Sequence, residues 1–301
     1  MKQAFITKRF SAGSQAMINK INAILAEYQA QGFRLTLRQL YYQLVARDLI
    51  PNNLRSYKNT GSLVSDARQA GLIDWLMIED RNRETIIPAH WTDPAEIVAA
   101  AARGFRINKW EDQPWHIEIM VEKDALSGVL DPTCRALDVG LTANKGYSSS
   151  STMYEIGQRI AFQRDRCLKK ILIVYLGDHD PSGIDMTRDV DDRLGMYSEG
   201  NVTLRRIALN MDQVELWQPP ENPAKVTDSR FEAYAREFGE SSLELDAVEP
   251  RQLANLVMNI VLEHRDEAIW AKAIAKEKKM RDQLQEFANT YEAPEDEEEN
   301  E

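Results

Sequence analysis

An alternation of strand-like and helix-like segments between residues 114 and 209 most constrains what this chain can fold into. Ile171-Leu-Ile-Val-Tyr-Leu176 is an uninterrupted apolar run, and Ile117–Val121 forms a second, shorter one. Such runs, without polar alternation, suit strands covered on both faces. The expected order is strand Ile117–Val121, helix Asp124–Leu137, strand Gly140–Ala143 and helix Thr152–Arg166. Strand Ile171–Leu176, helix Ser182–Met196 and strand Val202–Leu209 follow. This order predicts an α/β fold with a mostly parallel, Rossmann-like sheet and helices on both faces.

The preceding residues follow a different pattern. Met17, Ile18, Ile21, Ile24, Leu25 and Tyr28 recur at helical spacing within residues 14–31, and Gly32 stops that helix. Thr36 is a suitable N-cap for a second helix, Leu37–Arg47. Pro51-Asn-Asn breaks the chain, and Ser62–Ala70 reads as a third helix. Strand-like segments at Ile73–Glu79 and Thr85–Ile87 then complete the element order of a winged helix. The expected organisation is a winged-helix domain over 1–90, a connector over 91–113 with a helix at Pro94–Ala102, and the α/β domain over 114–228. A helical part over 229–291 and an acidic tail over 292–301, expected to be disordered, complete the chain.

The formal net charge of -11 conceals a polarity along the chain. Residues 1–70 carry ten Lys/Arg against three Asp/Glu, whereas residues 292–301 carry seven acids and no base. A basic N-terminal part fits a phosphate-binding module, and equally a solvated helical surface. Cys134 and Cys167 lack metal-type spacing, which argues against structural zinc and suits a reducing compartment. Lys8, Arg9, Asn19, Lys20 and Asn22 interrupt any signal-peptide core, and no apolar run is long enough to span a bilayer. A cytoplasmic protein without membrane association is expected.

Two of the strands end in acids. Ile117–Val121 runs into Glu122-Lys123, and Ile171–Leu176 runs into Gly177-Asp-His-Asp-Pro-Ser-Gly183. Ligands of open parallel sheets gather at the carboxyl ends of strands. Alternation sets Asp178 and Asp180 on one side of an extended loop, and Glu122 can join them from the neighbouring strand. A set of carboxylates suits Mg²⁺, which retains waters for phosphate oxygens. Taken singly, an Asp-X-Asp after a strand is more often a helix cap, and a Glu-Lys pair a surface ion pair.

Ile117-Glu-Ile-Met-Val-Glu-Lys-Asp-Ala-Leu126, Asn144-Lys-Gly-Tyr147 and Gly177-Asp-His-Asp-Pro-Ser-Gly183 together resemble the Toprim motifs of topoisomerase VI A subunits and of the meiotic double-strand-break transesterase. The resemblance implies that Glu122, Asp178 and Asp180 hold Mg²⁺ beside a scissile phosphate, with Asp185 a weaker candidate. Leu37-Arg-Gln-Leu-Tyr-Tyr-Gln43 resembles the segment of that family that bears a nucleophilic tyrosine, which carries over to Tyr42. Arg38, four residues earlier and on the same helical face, could bind the phosphate and favour a phenolate. Tyr41 is expected to face the core. Gln39 stands where the family has an acid, and the residues after Tyr42 are not typical of it.

Arg55, Lys58, Arg68, Lys123 and Lys145 are candidate DNA contacts. Asp80, Arg81 and Arg83 are expected to form ion pairs in the wing, and His179 either touches phosphate or faces solvent. The chain is shorter than a full A subunit and resembles the compact stand-alone versions associated with mobile elements. The implied activity is Mg²⁺-dependent cleavage of double-stranded DNA by tyrosine transesterification in a homodimer, with the metal supplied to each Tyr42 by the partner subunit. No Walker-type loop is present, so ATP hydrolysis would need a separate ATPase subunit. The same acids would also serve a hydrolytic Toprim nuclease, with Tyr42 structural, or persist as a vestige in a DNA-binding regulator.

Overall fold

The computed structural model describes residues 2–78, 88–144 and 146–290. Three helices come first, α1 (Ala12–Ala30), α2 (Leu37–Ala46) and α3 (Leu54–Gln69), followed by α4 (Pro94–Gly104). The central segment runs β1 (Trp115–Val121), α5 (Ser127–Leu137), β2 (Gly140–Ala143), α6 (Ser150–Asp165), β3 (Lys170–Leu176), α7 (Pro181–Ser198) and β4 (Thr203–Ala208). It is followed by α8 (Met211–Trp217), β5 (Glu221–Pro223), α9 (Phe231–Phe238), β6 (Ser241–Leu243), α10 (Pro250–His264) and α11 (Glu267–Thr290).

The first three helices enclose Ile18, Ile21, Leu25, Tyr28, Leu40, Leu44 and Val64. At the start of α2 the Gln39 N–H donates to Thr36 Oγ1 and the Thr36 N–H donates to Gln39 Oε1, a reciprocal capping box. Gln39 therefore performs the capping that an acid would perform at that position. Helix α3 begins well before the expected Ser62, because Asn53 Oδ1 accepts the Ser56 N–H at 2.8 Å and caps it. The first expected wing strand does not form over residues 73–77. Arg68 donates to the carbonyls of Trp75 and Ile78 at 2.5 and 3.2 Å and lies 4.6 Å over the Trp75 ring. That anchoring winds the segment into turns, and a lone parallel bridge joins Leu35 to Ile78. The second wing segment, Thr85–Ile87, and Asp80, Arg81 and Arg83 lie outside the described residues, as do Lys145 and the acidic tail.

The mixed α/β architecture is as expected, with an all-parallel sheet of order β2-β1-β3-β4. Strand alternation divides its side chains between two cores. Ile117, Ile119, Val121, Leu172, Val174 and Leu176 meet α5 and α10 on one face, while Met120, Ile171, Ile173 and Tyr175 meet α6 and α7 on the other. Burying each such aliphatic side chain contributes about 1.5–3 kcal/mol, which is why the central strands resist polar substitution. Helices α6 and α7 close up at Gly157, where a Cβ would lie 2.6 Å from Tyr197 Cβ.

The C-terminal part is not helical throughout. Strand β6 pairs antiparallel with β5, and in the sequence the pair lies between β4 and α10. Three residues are too few to reveal a period, so Ser241-Ser-Leu243 gave no strand signal. No helix among the described residues is long and apolar enough to cross a membrane.

Candidate active site at the strand ends

The parallel register that pairs Val121 with Leu176 brings the two acidic strand ends together. The Asp178 N–H donates to Glu122 Oε2 at 2.8 Å, and both residues are buried. Gly177 and Gly183 make this possible. A Cβ at 177 would stand 2.8 Å from Glu122 Oε2, and one at 183 only 2.3 Å from the Asp178 carbonyl oxygen. Burial, and then the Asp178 charge, pushes the Glu122 carboxyl up to about 7. Burial also raises Asp178, to about 6, against the attraction of Lys123.

Asp180 takes a different part. Its Oδ1 accepts the Gly183 N–H at 2.6 Å and the Ser182 hydroxyl at 2.8 Å, capping α7. Lys123 faces inward instead of lying open to DNA. Its ammonium pairs with Asp178 at 2.7 Å, with Glu244, and with Asp246 at 3.4 Å. These carboxylates outweigh the cost of burying the amine and hold it charged.

Arg38 reaches the same cluster from α2. It pairs with Glu244, and with Asp246 at 3.3 Å, while its guanidinium carbon lies 5.8 Å from the Tyr42 ring centroid. Tyr42 Oη accepts from Asn222 Nδ2 at 3.3 Å. Burial, followed by the Glu244 charge, raises the Tyr42 phenol above its ordinary value, and Asn222 and Arg38 offset this only in part. The expected bias toward phenolate is therefore reversed in this state, chiefly because the phenol is buried and secondly because Glu244 lies nearby. Tyr41 is buried, as expected of a core residue, but it shares its surroundings with Tyr42. It lies 5.3 Å from Tyr42 in one small cluster with Ala247 and Tyr57, and its phenol donates to Asn52 Oδ1 at 2.9 Å. A cavity of about 260 Å³ opens here, lined by Arg38, Tyr42, Asn52, Tyr57, Asn222 and Glu244 among others.

Arg206 on β4 organises the loop from behind. It donates to the carbonyls of Gly177, Asp178 and Gly183 at 3.0, 2.6 and 3.2 Å and to Thr187 Oγ1 at 2.6 Å. The sequence reading missed Arg206, Glu244 and Asp246. Glu244-Leu-Asp246 does repeat the acid-X-acid spacing of Asp178-His-Asp180, which is the one signal that could have flagged it.

The other candidates separate. Arg55 and Lys58 are exposed on α3 and open to a phosphate backbone, whereas Arg68 is committed to the 75–78 turn. His179 is 2% exposed, within reach of Tyr234 Oη at 2.8 Å, so it is neither a phosphate contact nor a solvent-facing spacer. Asp185 accepts from the Tyr147 phenol and pairs with Arg188 and Arg230, which together hold it down to about 2.

Among the described residues, no group of three or more His, Cys, Asp or Glu side chains converges closely enough to hold a metal ion. The donor chemistry nevertheless suits a hard cation, since Glu122 and Asp178 are adjacent and buried at the strand ends, with Lys123 paired to Asp178 at 2.7 Å. No protein-family model matches this chain, and no curated protein matches it.

Proposed function

We propose that this protein is a winged-helix and Toprim-type DNA-cleaving enzyme that uses Tyr42 as nucleophile and Mg²⁺ at Glu122 and Asp178. The observation that carries the reading is the continuous polar connection from Tyr42 through Arg38, Glu244 and Lys123 to Asp178 within a single chain. A tyrosine used only for packing has no need of an arginine that is itself tied to buried strand-end carboxylates. Mg²⁺, when bound, would neutralise charge on the phosphate and on the departing oxygen.

The residues themselves would bind, orient and move protons. Arg38 would turn from Glu244 to a phosphate oxygen, holding the phosphorus within reach of Tyr42 Oη. Asn222 aims that oxygen by donating to it. Attack would form a phosphotyrosyl bond and break the bond to the sugar oxygen, with the phenol proton passing by way of a carboxylate to that departing oxygen, which leaves as a hydroxyl. Exposed Arg55 and Lys58 would meet the DNA backbone. The connection is made within one chain, so each protomer of a homodimer could use its own acids in place of its partner's.

Incubation with labelled DNA and Mg²⁺, then denaturation with and without protease, tests this. Label trapped on wild-type protein, and absent with Tyr42→Phe and Asp178→Asn, is expected. Tyr42 is only 4% exposed and packed edge-on to Tyr41, which favours a second reading, a hydrolytic nuclease with a structural tyrosine. Free ends that persist in Tyr42→Phe and vanish in Asp178→Asn would establish that reading and exclude the first.

A further inference from the structure

The cavity of about 260 Å³ that Tyr42 helps to line is built from α2, the start of α3 and β5. Its volume falls below the roughly 300–1,000 Å³ of sites that take drug-sized ligands, so it has room for a single ring system and not for a length of chain. Its walls are aromatic rings and amides. The Tyr41 ring packs edge-on against both Tyr42 and Tyr57, with 5.3 Å between centroids in each pair. Tyr41 and Tyr42 are buried whereas Tyr57 is half-buried, so Tyr57 is the ring with a surface left for a ligand.

The amides are fixed in place. Asn52 Oδ1 accepts from the Tyr41 phenol, and its Nδ2 donates to the Glu221 carbonyl and to Asn222 Oδ1, all at 2.9 Å. Asn222 Nδ2 gives one hydrogen to Tyr42 Oη and has a second for an acceptor on a ligand. The backbone secures this wall as well. Strand β5 pairs Asn222 with Ser242 on β6, and the next residue, Leu243, exchanges backbone hydrogen bonds of 2.9 Å with His179. The Leu245 N–H then donates to Asp178 Oδ1 at 2.8 Å, so the cavity is set at a fixed place relative to the strand ends.

Chemistry selects the occupant. Against the cost of burial, Lys123 and Arg38 hold Glu244 ionised, and its charge in the wall repels a phosphate from the interior. A purely apolar ligand would leave the Asn222 donor without a partner. A neutral aromatic ring with hydrogen-bonding edges meets both conditions, and a nucleobase is such a ring. The mouth suits the rest of a strand. Leu54 lines the cavity and is 68% exposed, and Lys58, one turn further along α3, is exposed too. With Arg38 also in the lining, an aromatic pocket is flanked by cations, as in proteins that hold single-stranded nucleic acid.

We propose that this cavity receives one unpaired DNA base, stacked on Tyr57 and bonded at its edge by Asn222, next to the phosphate that Arg38 takes. This rests on the function proposed above only in taking DNA as the substrate and Arg38 as a phosphate contact. Its consequence is a preference for DNA already unpaired at the cut. In a fully paired duplex the base must first leave the stack, at a cost that an extrahelical base avoids.

Fluorescence anisotropy of a dye-labelled duplex with one extrahelical base, compared with the same duplex fully paired, tests this in EDTA, where no strand is cut. Wild type should bind the duplex with the extrahelical base about tenfold or more tightly. Tyr57→Ala should remove that preference and leave affinity for the paired duplex unchanged. Tyr57→Leu serves if Tyr57→Ala loses its cooperative melt. Equal wild-type affinities, or a preference that survives loss of the Tyr57 ring, would overturn the proposal. Equal affinities together with a covalent Tyr42 adduct in the cleavage assay would overturn this pocket alone. A preference lost with the Tyr57 ring, without any adduct, would support the pocket while excluding the transesterase. No binding to either duplex would overturn both.

Discussion

His179 shows how a residue flanked by functional acids can serve the scaffold. Its ring touches Tyr234 and Phe238, and the Tyr234 hydroxyl also reaches the carbonyl oxygens of His179 and Ser241. Because that hydroxyl has one proton to give to a carbonyl, the imidazole Nδ1–H is the donor between the rings. Burial, helped by Arg206, depresses the His179 value to about 4. A histidine held neutral in the fold contributes stability above its unfolded value near 6.5, and that contribution is lost as pH falls toward 4. Glu122 and Asp178 run in the opposite direction. Their raised values give stability that is present at low pH and lost as pH rises toward 7 and 6 respectively. Wild-type stability alone therefore mixes the two trends, and a difference is needed. Between pH 6.5 and 5, wild type should lose about 2 kcal/mol relative to His179→Met, measured by urea unfolding of both proteins at each pH. Equal pH dependence in the two proteins would show that the ring is not held neutral. Gly183→Ala makes a second residue-scale test. With 2.3 Å between the new Cβ and the Asp178 carbonyl oxygen, the loop must shift, and Mg²⁺ affinity should fall even if the protein still folds.

At the scale of elements, α2 carries Arg38 and Tyr42, and its placement depends on its first turn. Thr36→Ala removes one half of the capping box and should cost about 1 kcal/mol, read from the shift in urea midpoint. Thr36→Ser should restore most of it. The sheet and its helices were legible in the sequence because each has a period: apolar runs for β1 and β3, helical spacing for α1 and α2. Glu122 and Asp178 were legible because strand ends are where ligands gather. Glu244 and Asp246 were not, since they follow a three-residue strand and are brought to the site by long-range pairing. Asp180 illustrates a genuine ambiguity, because an Asp before Pro-Ser-Gly can cap a helix or bind a metal and its spacing is the same in both. Arg68 misled for a related reason: helical position gave its address, whereas the carbonyls of Trp75 and Ile78 claimed its guanidinium.

Across the whole molecule, the helical N-terminal part and the α/β part are joined by buried polar contacts as well as by packing. The Tyr28 hydroxyl on α1 donates to Glu249, the residue that precedes α10, and the tyrosine is fully buried. Tyr28→Phe would leave that carboxylate without its donor and should cost about 2 kcal/mol, seen as a lower midpoint in a single cooperative urea transition. A separate early transition for the N-terminal helices would show instead that this contact had been the main tie between the parts. The backbone donor from Leu245 to Asp178 also bears on how the protein is made. Glu122 and Asp178 leave the ribosome long before residues 243–246, so the nascent chain exposes its strand-end acids without the donor and the second acid pair. The strand-end site is therefore completed only after residues 243–246 have been made and have paired with the loop that follows β3.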